Sequence, residues 1–246
     1  YWWCTAIMLM IHAGFLAYEM GASRSKNALA AGIKNILAIA LIIPAFYLFG
    51  WWIYNAFPNG FVPIEAAAAL PWAASMGPDV QDMGTGIFWA AFALFGATTG
   101  SILSGAVIER IRVSAFLILT IFLGGVVWIM AGAWGWHPDG WLLTEFGYHD
   151  VGASGVVHAV AGFFTLGVLM NLGARKGKFI DGVPQIISPH SLPMTLIGLM
   201  MIIFGFFGFL GGCIIFNGGE TGWTTIYGTP TNLSAFAFNT LMGFAG

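Results

Sequence analysis

The sequence predicts an all-α polytopic membrane protein, and three observations carry that prediction. Hydrophobic residues make up 59% of the 246 residues and charged ones 7%, against about 25% charged in an ordinary soluble domain. The charges leave long uncharged windows at 1–18, 35–64, 83–108, 113–138, 151–174, 182–219 and 221–246. Each window reaches roughly the length a helix needs to cross a bilayer. Mean hydropathy is +0.85, and the 35 glycines suit helices packed closely in lipid. This composition excludes disorder and nucleic-acid binding, since a net charge of -2 offers no field to a polyanion.

Trimming glycine, proline and polar edges places helices near 1–22, 28–54, 84–107, 112–134, 152–172 and 192–216, with a seventh near 232–246, in a single transmembrane domain over 1–246. Strands are not expected, because strict alternation is absent and the windows are too long. The alanine- and proline-containing stretch 56–82 reads as an exterior loop with a short helix. The chain opens in one apolar stretch and stops in another, and it reads as part of a longer protein.

Charge settles the expected orientation. All eight basic residues follow the first, third and fifth helices: Arg24, Lys26 and Lys34; Arg110 and Arg112; Arg175, Lys176 and Lys178. The loops after the second, fourth and sixth hold Glu65, Asp79, Asp82, Asp139, Glu145, Asp150 and Glu220. The positive-inside rule puts the basic loops in the cytoplasm and the N-terminus outside. Trp2, Trp3, Trp51, Trp52, Trp134, Trp136 and Trp141 fall at expected outer ends, as an interfacial belt would. The expected location is the cell membrane, crossed many times.

Ionisable residues inside membrane helices are costly, so their default reading is functional. His158 follows Asp150 by eight residues, about two helical turns on nearly one face. Asp150 is expected to cap the fifth helix at its outer end. His158 is expected near mid-membrane; the competing reading is a core histidine bonded to a backbone carbonyl. His12 and Glu19, seven apart, share a face of the first helix. For His12, a buried structural pair and a functional group stand as equal readings, whereas Glu19 is expected to reach water at the cytoplasmic end. Phe88 and Phe92 form an aromatic stripe on the third helix. In Phe204–Cys213 the glycines at 205, 208 and 212 mark a packing face. Trp136, Phe88, Phe92, Phe209 and Asp150, gathered at outer ends, would attract a small cation through ring faces beside an acid. Phosphate loops, GxSxG, HExxH and CxxCH are absent, so neither enzymatic catalysis nor a cofactor nor a metal is expected.

These residues resemble the ammonium transporters of the Amt/Rh superfamily along essentially the whole chain. Tyr18 to Asn27 (YEMGASRSKN) looks like the family's first-loop pattern, and Gly105 to Ala115 (GAVIERIRVSA) like the stretch after its third helix. Trp136 to Leu142 (WHPDGWL) and Asp150 to His158 (DVGASGVVH) resemble the segment around its aspartate and first pore histidine. Gly205 to Cys213 is similar to its glycine-aromatic run. The resemblance implies a trimer of eleven-helix protomers, of which the first six to seven helices are present here. It implies an outer ammonium recruitment site framed by Trp136, Phe92 and Cys213, and a gate of Phe92 and Phe209 with Phe88 nearby. Asp150 would shape that site. His158 would be the first of two pore histidines, the second lying beyond residue 246. Ammonium would be deprotonated at the gate and ammonia conducted through a hydrophobic pore. The alternative is an ammonium sensor on the same fold. Implied partners are ammonium or ammonia, the bilayer, identical subunits and a cytoplasmic PII-type regulator. Cys213 and Leu210 depart from the family's serine and asparagine.

Overall fold

A computed structural model describes residues 2–64, 83–150, 152–217, 223–225 and 241–242, with backbone alone at 83–85, 87, 212–217 and 223–225. Its helices are α1 (Trp2–Ala22), α2 (Ser25–Ala56), α3 (Met83–Ala106), α4 (Val113–Gly135), the short α5 (Trp141–Phe146), α6 (Ser154–Leu172) and α7 (Leu192–Ile214). All except α5 are long and apolar enough to span a bilayer, giving six such helices among the described residues. All but 241–242 of the expected helix near 232–246, and most of the 56–82 loop, lie outside the described residues. Outward faces carry large apolar side chains, among them Leu29, Phe163, Met170 and Leu196, as lipid contact requires.

Two features are not foreseen by the hydropathy pattern. Among the described residues three spans contain π-helical turns, at Phe46–Gly50, Leu123–Val127 and Ser154–Ala159. The described residues also hold two antiparallel ladders: β1 (Phe179–Ile180) with β2 (Val183–Pro184), and β3 (Ile215–Asn217) with β4 (Trp223–Thr225). Strands of two or three residues are too short to show alternation.

α1 and α7 pack antiparallel and more extensively than any other described pair of elements. Glycine makes the approach possible. A Cβ on Gly198 would stand 2.3 Å from the Tyr18 nitrogen, and one on Gly208 would stand 2.2 Å from the Cys4 carbonyl oxygen. Gly205 meets Ile11, and Gly14 and Gly21 meet α7 from the other side. The glycine face expected at 205 and 208 is therefore the seat of α1. Small residues let backbones close in, which is how helices associate where lipid removes the hydrophobic drive. A second socket holds Ile42 of α2, buried against Gly96 and Gly100 of α3 and Gly124 of α4.

The basic loops are tied at Glu109, whose side chain is fully buried. Its carboxylate accepts from the Arg24 backbone N–H at 2.7 Å, from Arg24 Nε at 2.9 Å and from Asn27 Nδ2 at 2.9 Å. Arg24 Nη2 stands 2.9 Å away and Arg175 Nη1 3.7 Å away. Burial alone would raise the Glu109 pKa, but the bonds from Arg24 and Asn27 outweigh it and hold the group below the usual carboxylate range. One acid thus fastens the segments that follow α1, α3 and α6.

Candidate functional site

The site is built on the start of α6. Gly152 and Ala153 have positive φ, 89° and 63°, which turns the chain sharply into the helix. Asp150 then caps it: Oδ1 accepts from the Gly155 N–H at 3.1 Å and Oδ2 from the Val156 N–H at 2.7 Å. The acid is buried and faces the positive end of the helix dipole. The Tyr148 hydroxyl lies beside it, and burial together with the Asp150 charge pushes that phenol pKa up.

The π-turn Ser154–Ala159 brings His158 Nδ1 to 3.0 Å from the Ala153 carbonyl. A carbonyl only accepts, so Nδ1 carries the proton and Nε2 keeps a lone pair. The backbone bond is the one that the competing reading of His158 foresees, and it orients the ring. That ring lies against Phe209 and Phe206 of α7, with centroids at 5.7 Å and 6.0 Å.

From His158 a column of rings runs along one face of α3. Phe209 meets Phe95 edge-on at 4.6 Å. Phe95 meets Trp136 at 5.4 Å and Phe92 at 6.0 Å. Phe92 meets Trp136 at 5.6 Å and Phe88 at 4.5 Å. Trp51, Tyr54 and Trp128 close the sides, with Tyr54 at 4.9 Å and Trp51 at 6.1 Å from Phe92. The Tyr54 hydroxyl donates to the Trp136 carbonyl at 3.3 Å. His137 stacks edge-on against Tyr54 at 5.1 Å, and burial lowers its pKa, partly countered by Asp139.

Trp136, Phe88, Phe92, Phe209, Asp150 and His158 are thus gathered in one region, and the Cys213 side chain lies outside the described residues. Phe92 and Phe209 are linked through Phe95, which sequence reasoning passes over. Its signal is available: Phe88, Phe92 and Phe95 fall at i, i+4 and i+7, one helical face. Trp51, expected in the interfacial belt, is buried in the bundle, whereas Trp2 and Trp3 are exposed.

The first helix departs further from expectation. Glu19 does not reach water: it is 1% exposed and accepts a hydrogen bond from the Ser104 hydroxyl of α3. His12 is 3% exposed, and neither ring nitrogen has a hydrogen-bond partner. Among the described residues no cluster of His, Cys, Asp or Glu is suited to a metal.

A bundle of membrane-crossing helices, with aromatic rings stacked over a fixed histidine and a capped acid at the start of its helix, defines a multi-pass membrane protein. Family comparison makes this specific. Residues 1–245 match the model of the Ammonium Transporter Family, and the chain belongs to that family. The ammonium transporter Amt2 of Archaeoglobus fulgidus is 31% identical over 244 residues, 95% of this chain and 50% of that protein. Among solved structures, a sensor Amt protein superposes with a TM-score of 0.73 at 27% identity, over 86% of this chain and 53% of that one. Mep2 of Saccharomyces cerevisiae gives 0.69 at 25% identity, over 85% and 48%. The chain spans about half the length of these relatives.

Proposed function

We propose that the protein containing this chain carries ammonium or ammonia across the membrane through the ring column to His158. The column itself carries the proposal: Phe88, Phe92, Phe95 and Trp136 lead to Phe209, which lies against His158. Trp136 and Phe92, with Cys213, form the recruitment site, where ring faces attract a cation. Asp150 supports it by fixing the start of α6. Phe95 and Phe209 are the constriction, with Phe92 above. An ammonium ion cannot shed its water in an apolar passage without a large cost, so it gives up a proton there and crosses as ammonia. The Nε2 lone pair of His158, which Ala153 leaves free, is the acceptor below the rings. The basic end faces the cytosol by the positive-inside rule. Assembly as a homotrimer and regulation by a PII-type protein belong to the same reading.

The test is ammonium-evoked current from the full-length protein in proteoliposomes on a supported membrane, beside His158→Ala. Loss of about 100-fold or more in charge movement is the size expected for removing a proton-transfer group. An unaltered transient in a folded variant would remove His158 from the mechanism. A second reading is favoured by the similarity to the sensor Amt protein. Saturable ammonium binding without any current in the wild type would establish sensing in place of transport.

A further inference from the structure

The ring column leaves a second set of buried ionisable groups unused. Glu19 of α1, Lys34 and Asn35 of α2, and Ser101 and Ser104 of α3 are all 4% exposed or less. Ser104 joins them. Its hydroxyl donates to Glu19 Oε1, and its carbonyl accepts from Lys34 Nζ at 3.4 Å. Asn35 belongs to the cluster too: its Nδ2 donates to the Ala31 carbonyl at 3.2 Å, its Oδ1 stands 3.3 Å from the Ser104 hydroxyl, and its amide borders the Glu19 carboxyl. Gly105 leaves room beside the carboxyl, since a Cβ there would stand 3.4 Å from Oε1. Glu19 Oε2 is buried and has no hydrogen-bond partner. A carboxylate kept only for structure would have both oxygens satisfied in so dry a place.

Lys34 also lines a cavity of about 150 Å³ that opens among the basic loops, beside Asn27, Ile108, Glu109 and Val113. That volume holds several waters. The order is therefore cavity, Lys34, Ser104, Glu19. Seven residues further along the same face of α1 lies His12, about 10 Å away by helical rise, with both ring nitrogens unpartnered.

We propose that Glu19 is a second proton-exchanging site of the membrane domain, separate from His158 and opening through the Lys34 cavity to the basic end. Oε2 takes one proton to give the neutral acid and returns it to leave the carboxylate; no other bond changes. Oε1 is already engaged by Ser104, so Oε2 is the oxygen that exchanges. The charged or titratable groups facing it are Lys34 from α2 and His12 on α1. From α3 come only the hydroxyls of Ser101 and Ser104, and α7 carries no acid, base or histidine. The role in transport rests on the reading above, because a protein that strips a proton from ammonium must deliver that proton to water. The site itself does not rest on it.

Two measurements separate the claims. Infrared difference spectra of the purified full-length protein, taken across pH, are expected to show a protonated-carboxyl band that persists in His158→Ala and disappears in Glu19→Gln. The amide of Glu19→Gln keeps an oxygen for Ser104, and Glu19→Asp should restore a shifted band. A spectrum unchanged by Glu19→Gln, with the variant folded, overturns the proposal. In proteoliposomes Glu19→Gln is expected to lower ammonium-evoked charge about 100-fold and to flatten its dependence on the pH of the basic side. Wild-type current with the same pH dependence in Glu19→Gln would refute the link to transport. Absence of current in the wild type would instead count against the transport reading and leave the infrared result to decide the site.

Discussion

At the acidic end the bundle is packed with rings, and at the basic end with hydrogen bonds. Around Phe95 the neighbours are Trp136, Phe92, Trp128 and Phe209, all in edge or tilted contact. Around Glu109 they are two arginines and an asparagine. Burial drives the first through shape and dispersion, and the second is stable only because the carboxylate oxygens are engaged. The two halves therefore tolerate different changes. A ring can be exchanged for another apolar group of similar size, whereas a buried acid cannot lose its partners.

The most severe disruption lies between the halves, at the glycine seat that serves both. Gly198→Leu would place a side chain where the Tyr18 backbone stands. It should cost at least about 3 kcal/mol, read as a large fall in the unfolding temperature in detergent. Phe95→Ala should cost about 3 kcal/mol as a cavity among rings. It should also raise the rate for methylammonium relative to ammonium; an unchanged ratio would show that Phe95 does not limit the passage. Phe95→Leu should recover most of the stability.

Glu109→Gln probes the other half. Losing charge-assisted bonds to Arg24 should cost about 1.5–3 kcal/mol at pH 7. Because its native pKa is depressed, that contribution is complete above the ordinary value of about 4.3. It is lost as pH falls through the lower native value. The stability gap between wild type and Glu109→Gln should therefore narrow below about pH 4, and a gap independent of acid would contradict the assignment. Asp150→Asn keeps one acceptor of the cap and should cost only about 1 kcal/mol, with the start of α6 exchanging its amides faster.

The two halves are not equally legible in the sequence. Within the ring column only the local pairs are legible from spacing: Phe88 and Phe92 share a helix face, and Asp150 and His158 share a helix end, whereas Phe209 and Trp136 join them as site residues through the family resemblance. Phe95 escapes that reading, although the period of the helix includes it. The Glu19 cluster is illegible because its partners lie far away in the chain; Ser104 is 85 residues on. Charge and position alone suggest a side chain escaping to water, and only tertiary packing shows α2 and α3 closing over it. The π-turns are invisible for a related reason. An extra residue in a turn alters hydrogen-bond register without altering hydropathy, and the one at Ser154 is what aims His158. Spans, in contrast, follow from composition, since lipid demands apolar length.

The clasp of α1 on α7 bears on biosynthesis. Leu192 follows Ala22 by 170 residues, an interval on the order of 10–30 s at the usual pace of translation. Through that interval the first helix is in the bilayer with its glycine groove empty, and four other spans emerge before its mate does. Among the described spans, α7 thus locks a helix made long before it, and a nascent chain halted before α7 would leave α1 without this partner.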